Sequence, residues 1–247
     1  MYQRHFGLKK RPFCATPTDA DVFVGPQAAT TISDIKTALA INDAIVTISG
    51  PVGCGKTTLV NRALDSISGN RKIISVARLR LNTMDVLDLL LEELGQTNPP
   101  SGAIQKFVAF RRHLKKLEDK NTRVFIVVED SVRLGADTLA ELEALTAADA
   151  GHSEGANLVL MGDERLEEVL RDPQLERIGQ RIRQRQIIAP LNAAELRGYL
   201  KHGFRLAGGD FEKLFEADAA VLLHHLSGGI LRITNNLVES ALTTATS

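Results

Sequence analysis

Short apolar runs alternate with amphipathic segments along the first three quarters of the chain. The runs are rich in Val and Ile and predict five β-strands, at 44–49, 72–76, 124–128, 157–161 and 186–189. Between them, apolar residues at helical spacing predict helices at 56–67, 83–94, 103–120 and 137–148, then two shorter helices separated at Asp172-Pro173. Apolar strands that alternate with helices are typical of a parallel sheet with helices on both faces.

The pattern changes after Pro190, where no further strand is predicted. Helical spacing there predicts three helices, at 193–206, 217–226 and 230–241. We therefore predict an α/β fold with two domains. Residues 1–190 form a three-layer αβα core with a five-stranded parallel sheet and an N-terminal linker, and residues 191–247 form a small all-α domain.

The composition excludes several classes of function. The 247 residues include 30 basic and 30 acidic side chains, so the chain does not hold nucleic acid or an anionic membrane by bulk charge; a local basic patch stays open. Two cysteines, Cys14 and Cys54, exclude a disulfide framework. No run approaches the ~18 apolar residues of a membrane helix and no signal peptide is recognisable, so we expect a cytoplasmic protein.

The most informative motif follows the first predicted strand and leads into a predicted helix. It has the pattern G-x-x-x-x-G-K-T, whose backbone N–H groups and helix N-terminus surround phosphates. Lys56 would supply a charge for the β- and γ-phosphates, and the Thr57 hydroxyl would bind Mg²⁺. The predicted nucleotide contacts are Gly50, Pro51, Val52, Gly53, Cys54, Gly55, Lys56, Thr57 and Thr58.

A second candidate feature is the acidic end of the third predicted strand. Glu129 and Asp130 follow the apolar run 124–128 directly. In a nucleotide-hydrolysing site, one such carboxylate holds Mg²⁺ and the next orients the attacking water. The alternative interpretation is an acidic strand end that simply faces solvent.

The two ends of the chain resemble the general secretion pathway protein A (ExeA-type) family of AAA+ ATPases. The start, YQRHFGLKKRPFCATP at 2–17, matches the family's aromatic-F-G-L and P-F-x-x-T-P segments. SGGILRITNNL at 227–237 is similar to the family's S-G-G-x-P-R-x-I-N-N-L segment, and the match continues through 50–59 and 157–166. The resemblance implies a P-loop NTPase fold of the AAA+ type, with ATP and Mg²⁺ as cofactors and ATP hydrolysis as the activity.

The resemblance also assigns roles to single residues. It places Phe6 and Phe13 near the adenine, and Asp163 near the position that senses the γ-phosphate. Arg181 corresponds to the arginine that acts on a neighbouring subunit's ATP, and Arg232 to the arginine on the helical lid. Because Arg181 lies in an arginine-rich run, RIGQRIRQRQ, a solvated face or a partner-binding edge is the alternative interpretation of that run.

The sequence departs from the family in three places: at the acidic pair Glu129-Asp130, at Asp163 and at Leu231. The family has Asp-Glu where this chain has Glu129-Asp130, so Glu129 takes the Mg²⁺ position and Asp130 the water-activating position. Asp is one methylene shorter than Glu, and a misplacement near 1 Å can lower a rate by ~10²-fold. Asp163 replaces an amide, and Leu231 replaces a proline. We therefore expect intact ATP binding with slow intrinsic hydrolysis.

The resemblance leaves two main functions open, beside a third, a non-hydrolysing ATP-dependent switch in another large assembly. One is a secretion-pathway ATPase that oligomerises with ATP and helps to assemble a secretin or pilus machine through a protein partner. Relatives of this type continue into a membrane helix. A location at the inner membrane, through a missing region or through a partner, therefore stays open. The other is an ATP-dependent DNA-binding transposition regulator of the TniB or TnsC type. Its phosphate contacts would come from basic clusters, which are Arg78/Arg80, Arg111/Arg112/Lys115/Lys116 and 177–185.

Overall fold

A computed structural model describes residues 2–14, 21–76, 81–148 and 155–246. Five parallel strands form one sheet in the order β2-β3-β4-β1-β5. This confirms the predicted parallel α/β fold. The strands are β1 (Ile45–Ser49), β2 (Asn70–Val76), β3 (Thr122–Val128), β4 (Asn157–Met161) and β5 (Ile182–Ile187).

The position of β5 corrects the prediction of a strand at 186–189. The observed strand begins at Ile182 and ends at Ile187, so it starts within the arginine-rich run. It pairs with β1 alone and is an edge strand of the sheet, with side chains that alternate between half-buried and exposed. Such a strand has no continuous apolar run, and Arg183 and Arg185 occupy its exposed positions.

The described part of the chain contains helices of very different lengths. Most lie where helical spacing predicts them; Tyr2–His5, Pro26–Ala38 and Phe211–Leu214 were not predicted. The helices are α1 (Tyr2–His5), α2 (Pro26–Ala38), α3 (Lys56–Asp65), α4 (Thr83–Glu93), α5 (Ala103–Glu118), α6 (Gly135–Thr146), α7 (Leu166–Val169), α8 (Glu176–Arg181), α9 (Ala193–Leu206), α10 (Phe211–Leu214), α11 (Ala219–Ser227) and α12 (Leu231–Thr244). None of the helices within the described residues is long and apolar enough to cross a membrane.

The chain forms two compact units, and each unit is assembled from separate stretches of the sequence. Unit 1 contains Met1–Ile32, Pro51–Arg62 and Ile188–Ser247, and unit 2 contains Ser33–Gly50 and Ala63–Ile187. The phosphate loop therefore leaves the sheet of unit 2 at Gly50 and enters unit 1 at Pro51. The predicted domain boundary between residues 190 and 191 stays a prediction.

Unit 2 is built around the sheet. Its core includes the fully buried side chains Ile74, Phe110, Ile126, Leu139 and Leu158, which come from strands and from the helices that cover them. Because all five strands are parallel, the residues that follow β1, β3 and β4 emerge at the same edge of the sheet. Ligands of open parallel sheets bind beyond this carboxyl edge.

Unit 1 has a separate core made by the C-terminal helices and the N-terminal residues. Leu196, Leu200 and Phe204 of α9 are fully buried in it, and Tyr2 and Leu8 from the start of the chain join them. The Tyr2 hydroxyl donates a hydrogen bond to Glu239 Oε2 of α12 at 2.7 Å. The N-terminal segment is thus held against the C-terminal helices by apolar burial and by a partly buried hydrogen bond.

Candidate nucleotide-binding site

The phosphate loop is shaped by glycines with left-handed backbone conformations. Gly53 and Gly55 have φ of 89° and 96°, values that other residues rarely adopt. Helix α3 begins at Lys56, and its first intrahelical bond runs from the Leu59 amide to the Gly55 carbonyl at 3.0 Å. The remaining N–H groups of this first turn and the positive end of the helix dipole face the loop, an arrangement that is chemically suited to phosphate groups.

Helix α3 begins with two polar side chains, Lys56 and Thr57. Lys56 Nζ donates a hydrogen bond to the Pro51 carbonyl at 3.0 Å, so the ammonium group lies over its own loop. Thr57 is the second residue of α3 and is partly exposed. A positive charge and a hydroxyl oxygen on adjacent helical residues are suited to bind a phosphate and its Mg²⁺ ion.

Cys54 is buried within the loop, with 6% of its surface exposed. Burial raises the pKa of its thiol, and the charge of Lys56 opposes that shift. The side chain is therefore a neutral thiol near pH 7, and it fills space beneath the loop rather than acting as a nucleophile.

The first turn of α12 contacts the phosphate loop. The Arg232 amide, one of the N–H groups that a helix start leaves unpaired, donates a hydrogen bond to the Gly53 carbonyl at 3.2 Å. A Cβ atom at Gly53 would lie 2.7 Å from Arg232 Cβ, so the approach requires glycine. The Arg232 side chain itself is exposed.

The predicted adenine contacts lie against the core of unit 1. Phe13 stacks on Tyr199 of α9, with ring centroids 4.9 Å apart and an angle of 22°. Tyr199 donates a hydrogen bond to Asn235 Oδ1 at 2.8 Å, and burial raises its pKa to about 12. Phe6 packs at the border of the same core. The role of Phe6 and Phe13 toward adenine stays a prediction.

The predicted Mg²⁺ and water-activating residues follow β3 in unit 2. The Glu129 amide donates to the Val76 carbonyl at 3.1 Å, which extends the pairing of β2 with β3 to the end of the strand. Asp130 has φ 54° and ψ 45°, a left-handed conformation that costs a non-glycine residue free energy. Its Oδ2 atom lies 2.9 Å from Arg133 Nε, three residues further along.

Asp163, the predicted γ-phosphate sensor, follows β4 in the same unit. Its carboxylate accepts hydrogen bonds from the Arg165 guanidinium at 2.6 and 3.1 Å, and from the Arg165 amide at 3.0 Å. Arg133 and Arg165 are not among the site residues predicted from the sequence. The spacing of each arginine to its acid, three residues and two residues, was the signal available for finding them.

Arg181, the predicted arginine finger, forms ion pairs within its own chain. It is the last residue of α8, directly before β5, and its side chain is 14% exposed. The guanidinium contacts the Asp43 carboxylate and lies 2.9 Å from Glu143 Oε1; it also donates to the Glu143 carbonyl at 2.8 Å. These contacts tie α8 to α6 and to Asp43, which lies two residues before β1. Its action on a neighbouring subunit stays a prediction.

The basic clusters differ in their surroundings. Arg78 and Arg80 lie outside the described residues. Arg111 donates to the Ala147 carbonyl after α6, and Lys115 pairs with Glu118 at 3.1 Å, so part of the second cluster is engaged within the chain. In the third cluster, Arg183 and Arg185 lie on the exposed side of the edge strand β5, and Arg185 pairs with Glu167.

The chain is similar to a known protein family and to a known protein sequence. A family model described as an AAA domain matches residues 41–170, more than half of the chain. General secretion pathway protein A of Aeromonas hydrophila is 27% identical over 246 residues, which cover 99% of this chain and 45% of that protein. The resemblance inferred from the terminal motifs is thereby confirmed.

Solved structures share the fold at low sequence identity. Cdc6p from Pyrobaculum aerophilum superposes with a TM-score of 0.74 at 17% identity, over 94% of this chain and 65% of that one. The Aeropyrum pernix ORC1 protein, solved in complex with DNA, gives 0.66 at 20% identity, over 90% and 61% of the two chains. The chain thus spans less than two thirds of the length of each of these relatives.

Proposed function

Since the chain belongs to the AAA domain family, we propose that it binds ATP with Mg²⁺ at the phosphate loop and hydrolyses it slowly. The observation that carries the proposal is the loop itself. Two glycines with positive φ lead into the N-terminus of α3, and the Lys56 ammonium lies over the loop. This arrangement offers N–H donors and a positive charge to a triphosphate.

The reaction transfers the γ-phosphoryl group of ATP to water. The water oxygen forms a bond to the γ-phosphorus, the bond from that phosphorus to the bridging oxygen breaks, and ADP leaves. Asp130 would orient the water and accept its proton, while Lys56 balances the charge of the phosphates. The Thr57 hydroxyl and the Glu129 carboxylate are oxygen ligands of the kind Mg²⁺ prefers, and the ion would neutralise phosphate charge.

A binding and turnover comparison tests this proposal. Lys56→Ala should weaken the binding of a fluorescent ATP analogue by at least about tenfold, because a charge-assisted contact to phosphate is lost. Lys72→Ala is the matched control, since Lys72 lies on β2 and pairs with Glu93. If the Lys56→Ala variant bound the ATP analogue as tightly as the wild-type protein does, this would contradict ATP binding in the loop.

A more specific function can be proposed from the relative whose match covers nearly all of this chain. The name of that relative, general secretion pathway protein A, assigns it to a secretion pathway. For this chain we infer an ATPase that oligomerises with ATP and acts on a protein partner in an envelope assembly machine. One subunit's arginine would complete the next subunit's site, which makes the interface heterologous and leads to a ring or filament. Sedimentation with a non-hydrolysable ATP analogue tests this; monomers at high protein concentration would contradict it.

A second candidate, ATP-dependent DNA binding, rests on a different observation. The edge strand β5 exposes Arg183 and Arg185 on one side, and the ORC1 structure with a similar fold was solved in complex with DNA. Phosphate contacts of this kind weaken steeply with salt. Binding of plain duplex DNA that requires ATP, and that Arg183→Gln weakens, would favour this function over the first.

A further inference from the structure

We propose that Arg133 and Arg165 are positioning residues that restrain Asp130 and Asp163 and so hold ATP turnover low until these ion pairs open. The proposal rests on the proposed function and deepens it by naming a control of the same site. It concerns residues that follow β3 and β4, both of them in unit 2.

Each acid is held by an arginine from its own turn. Arg133 Nε lies 2.9 Å from Asp130 Oδ2, and Ser131–Arg133 form the 3-10 turn that brings the two side chains together. Asp163 is bound more completely, because Arg165 contacts both carboxylate oxygens at 2.6 to 3.1 Å. Both carboxylates therefore use lone pairs that a water molecule or a phosphate-bound group would otherwise engage.

The two ion pairs are neighbours. Strands β3 and β4 pair directly, with Val128 opposite Leu160. The Ser131 hydroxyl donates to the Met161 carbonyl at 3.0 Å, which joins the turn after β3 to the end of β4. The pKa of Arg165 is raised, mainly by its hydrogen bond to Asp163 and in part by the charge of Asp130. The four charged groups thus act as one cluster at the carboxyl edge of the sheet.

The consequence for the reaction follows from the role of each acid. Asp130 can orient water and accept its proton only with a carboxylate oxygen free to do so, and the Arg133 guanidinium competes for that oxygen. Asp163 can accept a hydrogen bond from water or from a phosphate-bound group only when one of its carboxylate oxygens is free, and Arg165 holds both oxygens. Opening the pairs exposes the acids, and closing them reduces turnover.

The restraint is reversible because both arginines are exposed. Their side chains are 54% and 68% accessible, so solvent and salt screen the attraction. Exposed ion pairs are weak, and losing one should change turnover by about two- to fivefold rather than by orders of magnitude. A contact of this strength can respond to ionic strength or to a partner that binds the guanidinium groups.

The test measures turnover at saturating ATP and, separately, the affinity for a fluorescent ATP analogue. The variants are Arg133→Gln, Arg165→Gln and the double variant, with Arg133→Lys as the conservative change. Arg197→Gln is the matched control, since Arg197 is 53% exposed and pairs with Glu212 in unit 1. We expect kcat to rise about two- to fivefold in each single Gln variant, with KM for ATP and the affinity unchanged, and Arg133→Lys to stay near wild type.

The dependence of kcat on salt concentration is a second measurement, and a purely structural role of the two arginines would leave it unchanged. Raising KCl from about 50 to about 300 mM should increase wild-type kcat and leave the double variant unchanged, because screening opens pairs that the variant lacks. An unchanged or lower kcat in both Gln variants, with ATP binding intact, would overturn the proposal. Absence of ATP binding by the wild-type chain would instead overturn the proposed function, and this proposal with it.

Discussion

The Arg232 amide of α12 donates a hydrogen bond to the Gly53 carbonyl of the phosphate loop at 3.2 Å. This contact satisfies a helix-terminal N–H with a carbonyl of the loop predicted to hold ATP. The C-terminal helix is therefore in direct backbone contact with the loop. A change in the loop on nucleotide binding would act on α12 even without the Arg232 side chain.

Gly53→Ala should weaken ATP binding by about 5- to 150-fold. The substitution combines a positive φ with a Cβ atom only 2.7 Å from Arg232 Cβ, and together these should cost about 1–3 kcal/mol. Gly69→Ala is the matched control, because Gly69 has φ +93° with no atom within 4 Å of the added Cβ. Equal loss of ATP affinity in both variants would show that the contact with Arg232 is unimportant.

Substitutions at Asp130 should change turnover without changing ATP affinity. Asp130→Asn removes the group that accepts the proton from water, and general acid–base catalysis typically contributes 10²–10⁴-fold, so kcat should fall by at least about 10²-fold. Asp130→Glu restores the missing methylene and should raise kcat. Single-turnover assays with measured nucleotide occupancy check both; normal kcat in Asp130→Asn would remove Asp130 from the reaction.

Arg181→Met should destabilise the fold. Its partner Glu143 is 7% exposed, and removing the guanidinium leaves that carboxylate without its buried partner, at a cost of about 3–5 kcal/mol. Arg185→Met is the matched control, with a 45% exposed side chain in one ion pair and an expected cost below about 1 kcal/mol. Urea denaturation measures both.

The same Arg181 variant tests its predicted role as an arginine finger. If Arg181 acts on a neighbour's ATP, turnover of the assembled protein should fall even at temperatures where the variant is fully folded. Normal turnover of the folded variant would leave Arg181 with the structural role alone.

The two cysteines should react at very different rates with iodoacetamide. Cys14 is exposed, whereas Cys54 is buried in the phosphate loop and burial raises the pKa of its thiol. A raised pKa lowers the thiolate fraction at pH 8, so alkylation of Cys54 should be slow there and should accelerate as the pH rises through that pKa. Mass spectrometry of the two peptides provides the comparison within one sample. Equal rates at pH 8 would contradict the buried position of Cys54.

Local sequence signals determined much of the fold. The strands 124–128 and 157–161 and the helix 193–206 are visible as apolar runs or helical periodicity because their buried faces are continuous. The phosphate loop can be recognised in the sequence because its glycines and Lys56 lie within a few residues of one another. The predicted bounds of the edge strand β5 are wrong because its alternating Arg and Gln residues form no apolar run.

Only the tertiary structure decided which charged groups meet. Arg181 and Asp43 are 138 residues apart, and no local pattern relates them. The pairs Arg133–Asp130 and Arg165–Asp163 are local in sequence, but only the tertiary structure places the two pairs side by side, where Ser131 bonds to Met161. The contact between Gly53 and Arg232 likewise joins distant segments. Ion pairs and close backbone approaches depend on position in space, whereas periodicity along the chain reports only which face is buried.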